Sequence, residues 1–244
     1  MSVVPLKAMA SYMRALHTLP GPGLGPLPLQ ACADALGLDG LALLLAPEGA
    51  VPEPVQLVGE RTLALEDLQL TQGQGPSRDA AQRGELHLLA DLGTPDGHAE
   101  MRWPGLASAI DELGIAAVFA FPLRIGIIAM GALVGHRIRP GPLSSGHLAD
   151  AFALTDTLAQ VIITLTARPI PSSGMLLDDT ELHFAEVHQA TGMLAAQHRI
   201  TCAQALVRLR AYAYGHNRRL LGCARDVLAH RLHLDGGDND DASD

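Results

Sequence analysis

The spacing of apolar residues along the first two thirds of the chain alternates between the 3.6-residue period of helices and the short runs of strands. Helical spacing predicts helices over residues 3–19 and over Leu29–Leu36, Thr62–Leu70, Arg78–Gln82, Met101–Leu113 and Ser144–Thr166. Continuous apolar or β-rich runs predict strands over Leu41–Ala46, Val55–Val58, Leu86–Leu89, Ile115–Arg124 and Ile127–Arg137. The last two runs flank Gly126, which favours a hairpin with a tight turn. This order predicts an α+β fold, with a mixed or antiparallel sheet flanked by helices.

Segments rich in proline, glycine or aspartate divide the chain. Leu19–Pro28 (LPGPGLGPLP) and Arg168–Gly174 (RPIPSSG) cannot continue a regular helix. The residues after Leu234 carry five aspartates and no apolar anchor, so we expect them to be disordered. The predicted parts are a helix and linker at 1–28, an α+β domain at 29–167, a linker at 168–177, a helical module at 178–234 and an acidic tail at 235–244.

Two capping boxes mark helix starts in the C-terminal module. Asp178 with Glu181 forms the first, and Thr201 with Gln204 forms the second. Any of the three residues 215–217 is suited to end the second helix in left-handed geometry. Three apolar stripes then predict a small all-α three-helix bundle. Its inward positions are Phe184, Val187, Thr191, Leu194, His198, Ala205, Leu206, Leu209, Ala213, Leu220, Leu221, Ala224, Val227, Leu228 and Leu232.

The charge of this module has the opposite sign to that of the whole chain. Between Leu182 and His233 there are seven arginines and two acids, Glu186 and Asp226, a local balance of +5 against −9 overall. A compact basic module is typical of a nucleic-acid reader, because guanidinium groups bind phosphates in a bidentate manner. The seven are Arg199, Arg208, Arg210, Arg218, Arg219, Arg225 and Arg231.

Composition restricts the class of protein. Hydrophobic residues make up 48% and charged residues 18% of 244, as in a folded chain with a core. Cys32, Cys202 and Cys223 lack zinc or redox spacing, so we predict small buried residues in a reducing compartment. Neither a signal peptide nor a run of ~18 apolar residues is present, and we expect a cytoplasmic protein without membrane contact.

Residues whose side chains can act in catalysis or bind metals do not occur in the sequence spacing of a known catalytic or metal-binding motif. The sequence offers no nucleophile–base pair and no cysteine pair. His183 and His188 are five residues apart and diverge on a helix, which does not suit a metal. We therefore expect no enzyme activity, no catalytic residue, no metal and no cofactor.

Four segments of the C-terminal module form a combined motif: Ala190–Leu194, Ile200–Leu206, Leu209–Arg210 and Asn217–Ala224. Together they resemble the ANTAR domain, the family of RNA-binding transcription-antitermination modules. A second set of segments lies between about residue 29 and 167: Ala35–Gly37, Leu41–Leu45, Gly73–Pro76, Asp79–Ala80, Arg102–Pro104, Ala120–Arg124 and Gly131–Leu133. This set resembles a GAF sensor domain. The pair is similar to GAF–ANTAR regulators of actinobacteria.

The resemblance implies that the C-terminal module binds hairpin RNA in nascent transcripts and blocks terminator formation. It also implies that the GAF-like part receives a small-molecule or protein signal and pairs into a homodimer. Two departures are visible: Thr191 replaces the usual basic residue, and Ser77 replaces a cysteine often found in relatives. Tyr212 and Tyr214 are candidates for base stacking. We expect the RNA-binding residues to be Thr191, Gly192, Arg199, Arg210, Arg218, Arg219 and Arg225.

Three alternatives remain open from the residues alone. Capped short helices around Thr201 also fit a helix-turn-helix, so the module can be read as a DNA-binding regulator. An enzyme on the GAF scaffold is a second alternative, which no motif supports. A third is a GAF-like domain whose pocket is filled by its own side chains and serves only to dimerise.

Overall fold

The computed structural model describes residues 27–46, 51–93, 98–166 and 184–234. The predicted helix at 3–19, the capping box at Asp178 and the acidic tail at 235–244 lie outside the described residues. The chain divides into two compact units, and the boundary between them along the sequence falls between residues 183 and 184. Each unit is described by itself below, as the first and the second unit.

A five-stranded sheet forms the centre of the first unit. Its strands are β1 (Gly40–Leu45), β2 (Glu53–Val58), β3 (His87–Leu89), β4 (Ala117–Ile125) and β5 (Ile128–Arg137). Its helices are α1 (Leu29–Leu36), α2 (Thr62–Gln72), α3 (Pro76–Arg83), α4 (His98–Arg102), α5 (Leu106–Glu112) and α6 (Ser145–Thr166). The strand order is β2-β1-β5-β4-β3, and every neighbouring pair is antiparallel. The α+β prediction is confirmed, and the sheet is antiparallel rather than mixed.

Both faces of the sheet are covered, which explains the continuous apolar runs of the central strands. Along β1, Leu41 and Leu43 pack with α1 and α6 on one face. The alternate residues Ala42 and Leu44 pack with α2, α3 and α5 on the other face. A strand that is buried on both sides needs apolar residues at every position.

Strands β4 and β5 form the predicted hairpin. Ile125 pairs with Ile128, so Gly126 and Ile127 form a two-residue turn. Gly126 has a φ of 59°, which a residue without a Cβ adopts at little cost. Further along the same pair of strands, Phe121 lies opposite Leu133.

Two predictions about the helices of the first unit are wrong. The segment Met101–Leu113 is not one helix, because α4 ends at Arg102 and α5 begins at Leu106. Pro104 lies between them and has no amide to donate to the preceding turn. The apolar spacing within Ser144–Thr166 also predicts that Phe152 shares the inward side of α6 with Leu154 and Leu158. Phe152 is instead 40% exposed, and Ala151 takes the buried position in that stripe.

The second unit is the predicted three-helix bundle. It consists of α7 (Ala185–His198), α8 (Cys202–Gly215) and α9 (Leu220–Leu228). Most of the predicted stripe is buried, with additional small residues at Ala190 and Cys223. The buried members are Phe184, Val187, Ala190, Thr191, Leu194, Ala205, Leu209, Ala213, Leu220, Cys223, Ala224 and Val227.

One cysteine differs from its prediction. Cys32 and Cys223 are buried, as expected for small apolar side chains. Cys202 is exposed, because the first residue of α8 follows the N-cap Thr201 and faces away from the bundle core.

Candidate nucleic-acid interface

The turn between α7 and α8 places Arg199 on the surface. Arg199 ends α7 in left-handed geometry, with a φ of 53°, and its amide donates to the carbonyl of Ala195. The predicted capping box follows: the amide of Gln204 donates to Oγ1 of Thr201 at 3.2 Å, and the amide of Thr201 donates to Oε1 of Gln204 at 2.9 Å. The two bonds fix the start of α8 immediately after Arg199.

The turn between α8 and α9 places two more arginines at the other end of α8. Asn217 adopts the left-handed conformation, with a φ of 49°, which its short amide side chain tolerates. The amide of Arg218 donates to the carbonyl of Ala213 at 2.8 Å, and Arg219 is the N-cap residue of α9. Of the three residues predicted to end α8 in left-handed geometry, Asn217 is the one that does so.

The two carboxylates among residues 184–234 are both engaged with arginines. Arg218 and Arg231 contact Asp226 with N–O distances of 2.5 and 2.6 Å. The hydrogen bonds from Arg218 and then Arg231 lower the pKa of Asp226. Arg225 on α9 donates to Glu186 on α7 at 3.0 Å. These pairs are exposed, and ion pairs of this kind exchange easily for a phosphate.

Three other arginines are exposed along α8. Arg199 precedes the helix, Arg208 lies in its middle and Arg219 follows it. None of the three forms an ion pair with a residue in the described parts of the chain. Because α8 has 14 residues and a rise of about 1.5 Å per residue, it spans about 21 Å. Positive charge is therefore presented at both ends and in the middle of this helix.

The two tyrosines of α8 have different environments. Tyr212 is half-buried and stacks on the ring of His216, with centroids 3.9 Å apart and planes at 22°. Tyr214 is 67% exposed, as is the neighbouring Val207 at 62%. Tyr214 therefore presents a ring on which an unstacked base can lie.

The residues predicted to bind RNA are not all on the surface. Thr191 is 6% exposed, and its hydroxyl donates to the carbonyl of Val187 at 2.6 Å. Its side chain thus belongs to the buried stripe of α7. Gly192 is exposed in the middle of α7, and Arg210 is half-buried. Arg199, Arg218, Arg219 and Arg225 are exposed at the positions described above.

The residues expected to bind RNA did not include Arg208, which was counted only as one of seven basic residues, or Tyr214, which was named only as a candidate for base stacking. Both lie on the outer side of α8, and the helical period around the buried Leu209 and Ala213 was the signal that could have located them.

A buried polar network lies under α2 and α3 in the first unit. The hydroxyl of Ser77 donates to Glu66 at 2.9 Å, and the side-chain amide of Gln69 donates to the Ser77 oxygen at 2.6 Å. Burial raises the pKa of Glu66 to about 8, while the Ser77 hydrogen bond acts in the opposite direction. The carboxyl group is therefore protonated at neutral pH, and Ser77 is held by hydrogen bonds inside the fold.

Comparison with known proteins agrees with this division. Residues 183–228 match the family model of the ANTAR domain. The first unit is similar to the GAF domain from a phosphoenolpyruvate-protein phosphotransferase of Coxiella burnetii, with 19% identity, a TM-score of 0.50, and coverage of 67% of this chain and 98% of that chain. The GAF domain from the Acinetobacter phosphoenolpyruvate-protein phosphotransferase has 15% identity, a TM-score of 0.49, and coverage of 68% and 96%. No curated protein matches the sequence.

The first unit thus has the GAF fold, and the second is an ANTAR domain. The chain therefore joins a unit with the GAF fold to a unit that matches the ANTAR domain. No helix among the described residues has the length and apolar character needed to cross a bilayer.

Proposed function

We propose that this protein is an RNA-binding regulator of transcription antitermination, in which the second unit binds hairpin RNA in nascent transcripts. The observation that carries the proposal is that Arg199, Arg208 and Arg219, at the two ends and in the middle of α8, are all exposed in a module matched by the ANTAR family model. Arg218 and Arg225 join this surface when phosphates replace their exposed carboxylate partners. Tyr214 stacks on a base of the hairpin loop.

The test is binding of the full chain to a hairpin RNA, a scrambled RNA and a duplex DNA over a range of salt concentrations. We expect preference for the hairpin, and a log–log salt dependence that becomes shallower by about 0.7–0.9 for each phosphate contact removed. Arg199→Gln, Arg208→Gln and Arg219→Gln should each show this change. Arg139→Gln removes an exposed arginine of the first unit and is the matched control.

Tyr214 gives a second test within the same measurement. Tyr214→Leu should weaken binding by about 1–3 kcal/mol without changing the salt dependence, because stacking involves no counterion release. Tyr214→Phe keeps the ring and should retain most of the affinity. Equal affinity for duplex DNA and hairpin RNA, or an unchanged salt dependence in all three arginine variants, would refute the proposal.

We also propose that the GAF-fold unit forms a homodimer through the outer face of α6 and receives the regulatory signal. Phe152 and Ile163 are 40% and 38% exposed. They are eleven residues apart, about three helical turns, and therefore lie on the same side of α6. In a symmetric pair, a copy of the same helix can cover both residues at once.

Light scattering on the double variant Phe152→Gln/Ile163→Gln tests this second proposal. We expect a dimer for the native chain and a monomer for the variant. Ile127→Gln is the control, because Ile127 is fully exposed and belongs to the hairpin turn between β4 and β5, not to α6. A monomeric native chain at high micromolar concentration would refute dimerisation.

A further inference from the structure

Four charged or polar side chains that the proposed RNA site does not use come together near the start of β3. Asp79 lies on α3, Glu85 lies in the following loop, His87 begins β3 and Arg102 ends α4. One ligand atom each from Asp79, Glu85 and His87 lies within 4.8 Å of the others. Packing of three segments thus places an imidazole nitrogen and two carboxylates in one cluster.

His87 provides the observation that points to a ligand. Its residue exposure is 9%, and its Nε2 makes no hydrogen bond within the described parts of the chain. This nitrogen faces Oε2 of Glu85 at 3.7 Å, which is too long for a hydrogen bond. Buried polar atoms are normally satisfied, so an unsatisfied nitrogen directed at a carboxylate requires an explanation. The neutral imidazole of histidine is a common metal ligand.

The guanidinium group of Arg102 supplies positive charge to the two carboxylates of this cluster. Its Nε and Nη2 each lie 3.0 Å from Oδ2 of Asp79, and its Nη2 also donates to Glu85. The Arg102 side chain is 41% exposed, so it can leave the cluster for solvent without disturbing the core. Asp79 stays fixed by another bond, because Nε1 of Trp103 donates to the same Oδ2 at 3.0 Å.

From these contacts we infer that Asp79, Glu85 and His87 form a binding site for a divalent transition-metal ion, which competes with the Arg102 guanidinium. One imidazole nitrogen and two carboxylates suit Zn²⁺, Co²⁺, Ni²⁺ or Mn²⁺, whereas Ca²⁺ and Mg²⁺ prefer oxygen ligands alone. Metal–ligand bonds of about 2.1 Å require ligand atoms about 3.4 Å apart. The ligand atoms, which lie within 4.8 Å of one another, therefore approach by up to about 1.4 Å on binding. After Arg102 has left, a doubly charged ion neutralises Asp79 and Glu85, while Arg83 on α3 keeps its contact with Oδ1 of Asp79 at 3.3 Å.

According to this inference, the signal received by the GAF-fold unit is a divalent metal ion. Only the regulatory meaning of metal binding rests on the sensing role proposed above. Binding of the ion releases the last residue of α4, next to Trp103, and so couples the site to the segment between α4 and α5. The measurement needs no RNA, so its failure would leave the RNA proposal untouched.

Trp103 is a built-in reporter, since it is the only tryptophan in the chain and its ring centroid lies 5.1 Å from that of His87. Co²⁺ is titrated into the full chain after treatment with a chelator, and the Trp103 emission is recorded. All proteins carry Cys202→Ser, which removes the exposed thiol as a competing ligand. We expect saturable quenching at one equivalent of Co²⁺.

Two variants should change the affinity for Co²⁺ in opposite directions. His87→Ala should raise the Co²⁺ concentration at half-quenching at least about 100-fold, because it removes a direct ligand. Arg102→Gln should lower that concentration about tenfold, because the charge-assisted hydrogen bonds that compete with the ion are lost. His233→Ala, at an exposed histidine of the second unit, is the control and should change nothing. His87→Gln replaces His87→Ala if circular dichroism shows that the latter is unfolded.

Three results would overturn the inference. The first is the absence of saturable quenching in both the native chain and Arg102→Gln. The second is quenching that persists when His87 is replaced. The third is weaker binding in Arg102→Gln than in the native chain, which would mean that Arg102 supports the ion instead of competing with it.

Discussion

Replacement of Glu66 by glutamine should change how the stability of the first unit depends on pH. Glu66 is 3% exposed, accepts a hydrogen bond from Ser77, and has its pKa raised by burial from 4.5 to about 8. Between these two values the folded carboxyl keeps its proton while the unfolded one loses it. The stabilisation by the neutral carboxyl is therefore complete below pH 4.5 and is lost as the pH rises through about 8.

The size of the effect follows from the linkage between proton binding and folding. In this window the free energy of unfolding falls by about 1.4 kcal/mol per pH unit. From about pH 5 to about pH 7.5, the native chain should therefore lose about 3 kcal/mol relative to Glu66→Gln. Glutamine has nearly the same shape and keeps an oxygen for the Ser77 hydroxyl, but it does not titrate.

The assay is denaturant unfolding of both proteins at both pH values, followed by the fluorescence of Trp103 in the same unit. Comparison of the two proteins cancels the titration of all other groups. Glu112→Gln, at an exposed glutamate of the same unit, is the control and should behave as the native chain. Identical pH dependence in the native chain and Glu66→Gln would show that the Glu66 carboxyl is ionised in the folded protein, contrary to this reasoning.

Four shorter predictions concern other residues. Thr201→Ala should destabilise the second unit by about 1 kcal/mol in thermal melts, since it breaks the capping box, and no loss would contradict the role of the cap. Gly131→Ala should cost about 3 kcal/mol or more in denaturant unfolding, because its Cβ would lie 2.0 Å from the carbonyl oxygen of Leu44; full stability would show that the strands separate easily. Gly192→Ala fills open space in α7 and should stabilise the helix by about 0.5–1 kcal/mol while weakening RNA binding; unchanged RNA affinity would remove Gly192 from the interface. Burial lowers the pKa of His136 to about 4, so its NMR titration should show a neutral ring down to about pH 5, and stability should fall as the pH drops from 6.5 towards 4; protonation near pH 6.5 would contradict its burial.

Much of the fold could be predicted because the responsible interactions are local. The run Leu41–Ala46 is apolar at every position and forms a strand with two covered faces. Gly126 between two β-rich runs marks the two-residue turn of the hairpin. Thr201 and Gln204 are three residues apart and make both bonds of the capping box. In each case, residues close in sequence are sufficient to set the backbone geometry.

The candidate site was predicted less completely, because exposure depends on packing between helices. A basic residue count identified the second unit, but it could not show that Arg225 pairs with Glu186 at a separation of 39 residues. The resemblance placed Thr191 among the RNA-binding residues, while its hydroxyl is bonded to Val187 within the core. Arg208 entered the site only when the buried face of α8 was known.

The sequence by itself determined the two-part organisation, the positions of most helices and strands, and the basic character of the second unit, since periodicity, capping and composition are properties of short segments. Only the tertiary structure decided which charges meet. Asp79, Glu85, His87 and Arg102 are spread over 24 residues on α3, the following loop, β3 and α4. No sequence spacing predicts this cluster, because its geometry arises from the packing of separate elements against a common sheet.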